Sequence, residues 1–340
     1  MGKKHLHDAE RYEVLAAVYP KEGTRVDNDS VGAYRTKTTR AGEFLYVACY
    51  PLIGAKQMRT QETGLEQLRE EKKRAVLAKY ARYNNRRRLD YFEQVVHANF
   101  GKGDFHVVCT YPVPMDGDYQ YREDEIEYRD REQAKRDIEN YIKRVKRLLK
   151  RHGCDMEEFR YIKVTVTKEY DPEARRPFPD AHHHHLLMHG IPEELRGEVE
   201  RLWPFGYCNA DRLQPDDKGI ANMAGYVGRQ EGRANGEHRA GEKSWSGSRN
   251  LREPEVSVSD RKISRRRAAR IAEDVRISGK EIFEQVYPGY RVVEQPRVYL
   301  SDFVAGAYIY AKLRTKGDGA YGKNQSKLVR KARDLEEAVL

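Results

Sequence analysis

The sequence predicts an α+β fold: a ferredoxin-like antiparallel sheet with helices on one face and the other face open, plus helical extensions on either side. Three observations lead to it. From residue 105 onward the apolar periodicity passes through strand, helix, strand, strand, helix and strand, the β-α-β-β-α-β order. Residues 161–169 alternate cleanly, with Ile162, Val164 and Val166 on one side and Lys163, Thr165, Thr167 and Glu169 on the other. A histidine cluster then runs into Leu186-Leu187-Met188, the pattern of a strand with one packed face.

Taken in order, residues 27–30 read as a turn and 43–52 as a strand. Residues 63–99 place Leu65, Leu68, Val76, Leu77, Tyr80 and Tyr83 near helical spacing, and Lys72-Lys73-Arg74 and Arg86-Arg87-Arg88 read as a solvated face of that helix. Residues 105–111 form a strand. Residues 125–152 form an amphipathic helix with Ile138, Tyr141, Ile142, Val145, Leu148 and Leu149 on one side and Gly153 as its stop. After the 161–169 strand, a proline- and arginine-rich loop (171–180) leads to the histidine strand. A short helix at 192–202 starts with Pro192, and 207–213 is a strand.

A further helix is expected over 218–230, then a Gly-, Arg- and Ser-rich loop to Arg249. Residues 260–286 read as helical with a very basic start (Arg261, Lys262, Arg265, Arg266, Arg267), and 301–314 as another helix capped by Ser301 or Asp302. The final stretch is polar with a terminal helix. The implied domains are an N-terminal extension with a strand segment and a basic helix (1–100), a central domain (101–255) and a basic helical C-terminal region (256–340).

Composition bounds the function. The chain has 340 residues, 39% hydrophobic and 35% charged, with a formal net charge of +10. That excess suits a polyanionic partner, and nucleic acid leads because no apolar run approaches the roughly 18 residues a membrane span needs. Lys3-Lys4-His5-Leu6-His7 supplies no apolar signal core, and Cys49, Cys109, Cys154 and Cys208 contain no C-x-x-C pair. A reducing bacterial cytosol is the expected location, with the thiols free.

In the histidine strand, His183 and His185 share one face while His184, Leu186 and Met188 share the other. Two imidazoles on the open side suit one divalent ion. Glu169, on the polar face of the preceding strand, would join them if the two strands pair. Two imidazoles and a carboxylate leave positions for waters and substrate oxygens, which suits Mn²⁺ or Mg²⁺ and the polarisation of a phosphate. The pair His182 and His184 remains an alternative. His189 lies on the same side as His183 and His185. His5-Leu6-His7 repeats the spacing but lacks an apolar strand after it.

A nucleophile is available in the helix that follows. Tyr226 and Arg229 are three residues apart and share a helical face, so a phenolic oxygen and a cation stand together. Lys218 precedes them on the same segment.

The strand ending Cys109-Thr110-Tyr111, the histidine strand and the Tyr-x-x-basic helix together resemble the three motifs of rolling-circle replication initiators, members of the HUH endonucleases. The resemblance covers residues 105–251 and includes Trp245-Ser246-Gly247-Ser248-Arg249-Asn250-Leu251, similar to a stretch of Rep-like proteins of bacterial mobile elements. It implies that His183 and His185 hold the metal, that Glu169 completes the site, and that Tyr226 attacks the DNA backbone. The expected product is a 5′-phosphotyrosine link and a 3′-OH that primes replication, with later rejoining of the ends.

Two positions depart from the family pattern. The middle residue of the metal motif is His184, and Arg229 stands where the pattern has lysine, which keeps the charge but removes a proton shuttle. Position 230 is Gln, so no second tyrosine follows one turn on. The His-then-Tyr order differs from conjugative relaxases, and transposases sharing it are shorter.

DNA contacts are expected from Arg249 and from Arg265, Arg266 and Arg267, around a single-stranded nick site and its flanking duplex. No P-loop is present, so a helicase and a polymerase would come from the host. Two other classes compete. A non-catalytic single-strand-binding module would explain charge and tyrosines but not the histidine strand. A two-His-one-carboxylate iron oxygenase would use the ligands but not Tyr226.

Overall fold

The computed structural model describes residues 31–52, 70–111, 129–168, 181–225, 245–301 and 304–317. In chain order the elements are β1 (Ala33–Ala41), β2 (Phe44–Leu52), α1 (Glu70–Asn99), β3 (Phe105–Thr110), α2 (Arg131–Arg151), β4 (Arg160–Lys168) and β5 (Ala181–His189). There follow a 3-10 turn (Glu193–Leu195), α3 (Arg196–Arg201), β6 (Cys208–Arg212), β7 (Ser246–Gly247), β8 (Glu255–Ser259), α4 (Arg265–Glu273), α5 (Ser278–Val286), β9 (Tyr290–Val292), β10 (Arg297–Ser301) and β11 (Val304–Thr315). The fold is α+β with two antiparallel sheets. No helix among the described residues is long and apolar enough to cross a membrane.

The chain divides into two compact units, one from Val95 to Arg252 and the other from the described residues on either side. The segments expected as separate N- and C-terminal regions therefore build one body. Its sheet runs β10-β11-β2-β1-β8, with β9 pairing β11. Ile271, Ile282 and Phe283 of α4 and α5 share a core with Val47, Cys49 and Ile309 of the strands.

The helix expected over 301–314 is instead β11. It lies between β10 and β2, and most of Ala307–Leu313 is buried, so a strand covered on both faces loses its alternation and reads as an apolar run. Lys312 lies within it at 4% exposure. Its ammonium donates to Glu93 at 2.7 Å and stands 4.9 Å from the Phe44 ring centre.

The central unit's sheet runs β6-β3-β5-β4-β7. β5 is antiparallel to both β3 and β4, so those two strands run parallel to each other with α2 as their crossover. A capping box starts α2: Asp130 accepts from the Gln133 amide, and the Gln133 side chain accepts from the Asp130 amide. Gly153 at φ 70° lets the chain turn away two residues after the helix ends. The helix expected from residue 125 starts at Arg131, with Asp130 as its cap; residues 125–128 lie outside the described residues. Ile138, Tyr141, Val145, Leu148 and Leu149 of α2 and Val199 of α3 share one core with Phe105, Val107, Leu186 and Met188.

The second face of this sheet is not open as expected. Ile162, Val164, Val166 and Leu187 lie on it at 1–2% exposure, and His185 at 3%. Apolar side chains alternate onto both faces of β4 and β5 taken together, so both faces need cover. The last turn of α1, with Val95 and Val96 buried, belongs to this unit; Asn99 and Arg252 exchange hydrogen bonds of 2.7 and 2.9 Å there.

Candidate metal centre

The register of β5 with its neighbours sorts the histidines. His185 stands opposite Val108 and Val164, His183 opposite Thr110 and Val166. His184 stands opposite Cys109 and Thr165, on the face that packs against α2. The predicted split of the cluster is therefore present. His183 and His185 are together, with ring centres 5.1 Å apart and planes near perpendicular.

A third imidazole joins them that the sequence reading did not single out. His106 of β3 stacks on His185 with ring centres 5.3 Å apart, and its Nε2 lies 3.1 Å from His185 Nδ1. The residue opposite His106 is Leu187, so the contact is diagonal across the two strands. The only sequence signal was the parity of His106 with Val108 and Thr110. Which β5 residue it meets depends on a register between segments 79 positions apart.

Burial sets the charge state of the group. It holds His185 down to about 3, with the charges of His183 and His106 adding to the effect. His106 is lowered for the same first reason, against a pull upward from Asp211. Both imidazoles are neutral at pH 7, the form that ligates metal.

His184 has other work. Its Nδ1 lies 3.0 Å from Thr165 Oγ1, and its Nε2 lies 3.3 Å from the Tyr111 hydroxyl. Tyr111 donates to Asp137 Oδ2 at 3.2 Å, so the network assigns His184 Nε2–H as donor to Tyr111 and Nδ1 as acceptor from Thr165. The Trp203 ring lies 5.6 Å away, and burial holds His184 down to about 3. Both ring nitrogens being engaged, the pair His182 and His184 has no free electron pair at its second member. Tyr111 itself is pushed upward by burial and by Asp137, so it stays a phenol.

The polar set of β4 does not meet His183 and His185. Lys163, Thr165 and Thr167 stand opposite Leu186, His184 and His182. The reason is the period of two: the histidines at 183 and 185 pair with the apolar residues of β4, and the polar positions fall on the other face. Glu169 itself lies outside the described residues, as do Tyr226 and Arg229. Among the described residues no group of three His, Cys, Asp or Glu side chains is arranged around a single ion.

The segment that leads to Tyr226 is described up to Gly225. Residues 221–225 form a helical turn, and the Ile220 amide donates to His97 Nε2 at 3.1 Å. Ile220 and Ala224 are 4% and 1% exposed. Lys218 is exposed in the preceding turn, its amide donating to Asp216. His189 pairs with Asp104 at 2.7 Å, which gives it a structural partner beside the β3 turn.

The Trp245–Leu251 stretch forms a strap on β4. Ser248 and Tyr161 exchange backbone and hydroxyl hydrogen bonds of 2.9 and 3.2 Å, and the Asn250 amide donates to the Glu157 and Phe159 carbonyls. Arg249 projects from it, exposed. In the other unit Arg266 and Arg267 are exposed at the start of α4, whereas the Arg265 guanidinium donates to the Val31 carbonyl at 3.1 Å.

Comparison with family models, with curated proteins and with solved structures returns no match.

Proposed function

We propose that this chain is a rolling-circle replication initiator of the HUH type, a metal-dependent enzyme that nicks and rejoins one DNA strand. In the reaction the Tyr226 oxygen attacks a backbone phosphorus, the P–O3′ bond breaks, and the 3′ oxygen leaves to take up a proton as a priming hydroxyl. Arg229 neutralises charge on the phosphate. The reverse transfer rejoins the ends. The reading extends to a ferredoxin-like core, supported by the strand order β6-β3-β5-β4 with α2 and α3 sharing one core cluster. A host helicase and polymerase complete the process.

One observation carries the proposal: the imidazoles of His183 and His185 converge on one face of the central strand, and His185 is fixed through its Nδ1 by His106. The donor set fits a divalent ion held by two neutral nitrogens, with waters and substrate oxygens at the remaining positions; Glu169, which follows the polar set of β4, would have to leave that strand's alternation to join them. Mn²⁺ or Mg²⁺ bound there would polarise a phosphate oxygen. His183 and His185 would hold it, and His106 would hold His185 in the tautomer that presents Nε2.

The test uses the full chain, Mn²⁺ and single-stranded DNA spanning the sequence around its own gene. The expected result is a protein–DNA adduct that survives denaturing gel electrophoresis. It should vanish in Tyr226→Phe while binding persists. An undiminished adduct in Tyr226→Phe would overturn the nucleophile. Binding without any adduct in the unaltered protein would favour the non-catalytic single-strand-binding module instead.

A further inference from the structure

Cys109 of β3 and Cys208 of β6 stand directly opposite one another, with their sulfurs 3.6 Å apart. The Thr110 amide donates to the Tyr207 carbonyl across the same pair of strands, which makes 110 and 207 a hydrogen-bonded pair. Positions 109 and 208 are therefore the adjacent non-hydrogen-bonded pair. There opposing Cα atoms come within about 4.5 Å and side chains meet most closely. That spacing lies within the range of roughly 4.4–6.8 Å that a disulfide spans, so oxidation needs side-chain rotation and little backbone movement. Both thiols are free.

The two sulfurs are not equivalent. Cys109 is fully buried, and burial raises its thiol pKa. Cys208 is half-buried, and its hydrogen bond with the Cys109 thiol lowers its pKa against the upward pull of burial. One sulfur is partly exposed and the easier of the two to ionise; the other lies behind it at contact distance.

We propose that Cys109 and Cys208 are a reversible oxidation site for peroxides, closing to a cross-strand disulfide. The Cys208 thiolate attacks one oxygen of hydrogen peroxide, the O–O bond breaks, and the departing hydroxide takes a proton to become water. Cys109 sulfur then attacks the Cys208 sulfenic acid; the S–O bond breaks and the hydroxyl leaves as water with the Cys109 proton. Two thiols are oxidised, one peroxide is reduced, and two waters form. A thiol reductant reverses the change. The new bond would tie edge strand β6 to β3, whose next residue, Thr110, stands opposite His183. The inference does not depend on the proposed nicking activity.

The full chain is treated with hydrogen peroxide, denatured, alkylated with N-ethylmaleimide and mapped by mass spectrometry. The expected result is loss of two alkylation sites and of two hydrogens, with one linked species joining Cys109 to Cys208 that dithiothreitol abolishes. Cys208→Ser, at the more accessible position, should leave Cys109 fully alkylated, and Cys154→Ser should leave the link intact. Sulfinic acid at Cys208 beside an alkylated Cys109, a link to Cys154, or all four thiols still alkylated would each overturn the proposal.

Discussion

His106 Nε2 and His185 Nδ1 lie 3.1 Å apart on neighbouring strands, their rings stacked within 10° of parallel. One of the two nitrogens carries the proton. If His185 Nδ1–H donates, its Nε2 is left with a lone pair, the arrangement that metal-ligating histidines commonly have with an outer hydrogen-bond partner. A buried imidazole thus acts on a neighbour rather than on solvent.

His106→Ala should therefore weaken Mn²⁺ binding about 10- to 100-fold, the usual cost of removing such a partner. Titration calorimetry on the full chain measures it, with circular dichroism to check that the fold persists. His106→Gln, whose amide oxygen can accept the same proton, should recover part of the affinity. Equal affinity in all three proteins would remove His106 from the site.

Acid should destabilise the protein before its carboxylates titrate. His184 and His185 are both held near 3 in the folded state, against an ordinary value of about 6.5 in the unfolded chain. Between those values the unfolded state binds the extra protons. Stability is therefore fully present above about pH 6.5 and falls as pH drops, at about 1.4 kcal/mol per pH unit for each such histidine. Denaturant titrations between pH 7 and pH 5 should show this slope, shallower in His184→Gln. A flat profile over that window would contradict the burial of these rings.

Parts of this architecture were legible because they rest on local periodicity. The heptad-like spacing of Ile138, Tyr141, Val145 and Leu149 predicts α2, and the period of two separates His183 and His185 from His184. What local pattern cannot give is which partner lies across a strand. By alternation alone, Ile162, Val164 and Val166 read as the packed face of β4 and Lys163, Thr165 and Thr167 as the open one. The register shows the apolar set sharing a face with His183 and His185. The sheet is covered on both sides, so an apolar stripe did not mark the helix side. The same physics hides β11: a strand buried on both faces carries no alternation to read. His106 was invisible because its significance lies in a contact made far away in sequence. Glu169, Tyr226 and Arg229 lie outside the described residues.

Gly247→Ala should be destabilising even though glycine-to-alanine changes often stabilise. A methyl group there would sit 2.5 Å from Leu251 Cδ1 and 2.8 Å from the Tyr161 carbonyl oxygen. The leucine tip can turn aside, but the β4 backbone cannot yield without disturbing the strap. A loss of about 1–3 kcal/mol is expected from such overpacking, read as a lower urea midpoint at unchanged m-value. Gly101 is the control: a methyl group there meets nothing within 4 Å. Gly101→Ala should stay within about 0.5 kcal/mol of the unaltered protein.

The basic run at the start of α4 should separate into one structural residue and two binding residues. Ser264 caps this helix by accepting from the Arg267 amide, which fixes how the run is presented. The Arg265 guanidinium donates to the Val31 carbonyl, so Arg265→Ala should lower the melting temperature. Arg266 and Arg267 are exposed, and replacing them should leave the melting temperature unchanged. If they meet DNA phosphates, their loss should weaken binding to all sequences alike. It should also make the slope of log K against log salt shallower by about 0.9 for each duplex contact removed. Fluorescence anisotropy with one duplex at several salt concentrations measures that slope. An unchanged slope in the Arg266→Ala, Arg267→Ala double variant would take this helix out of the DNA interface. A shallower slope in Arg265→Ala alone would mean that its bond to Val31 gives way when DNA is present.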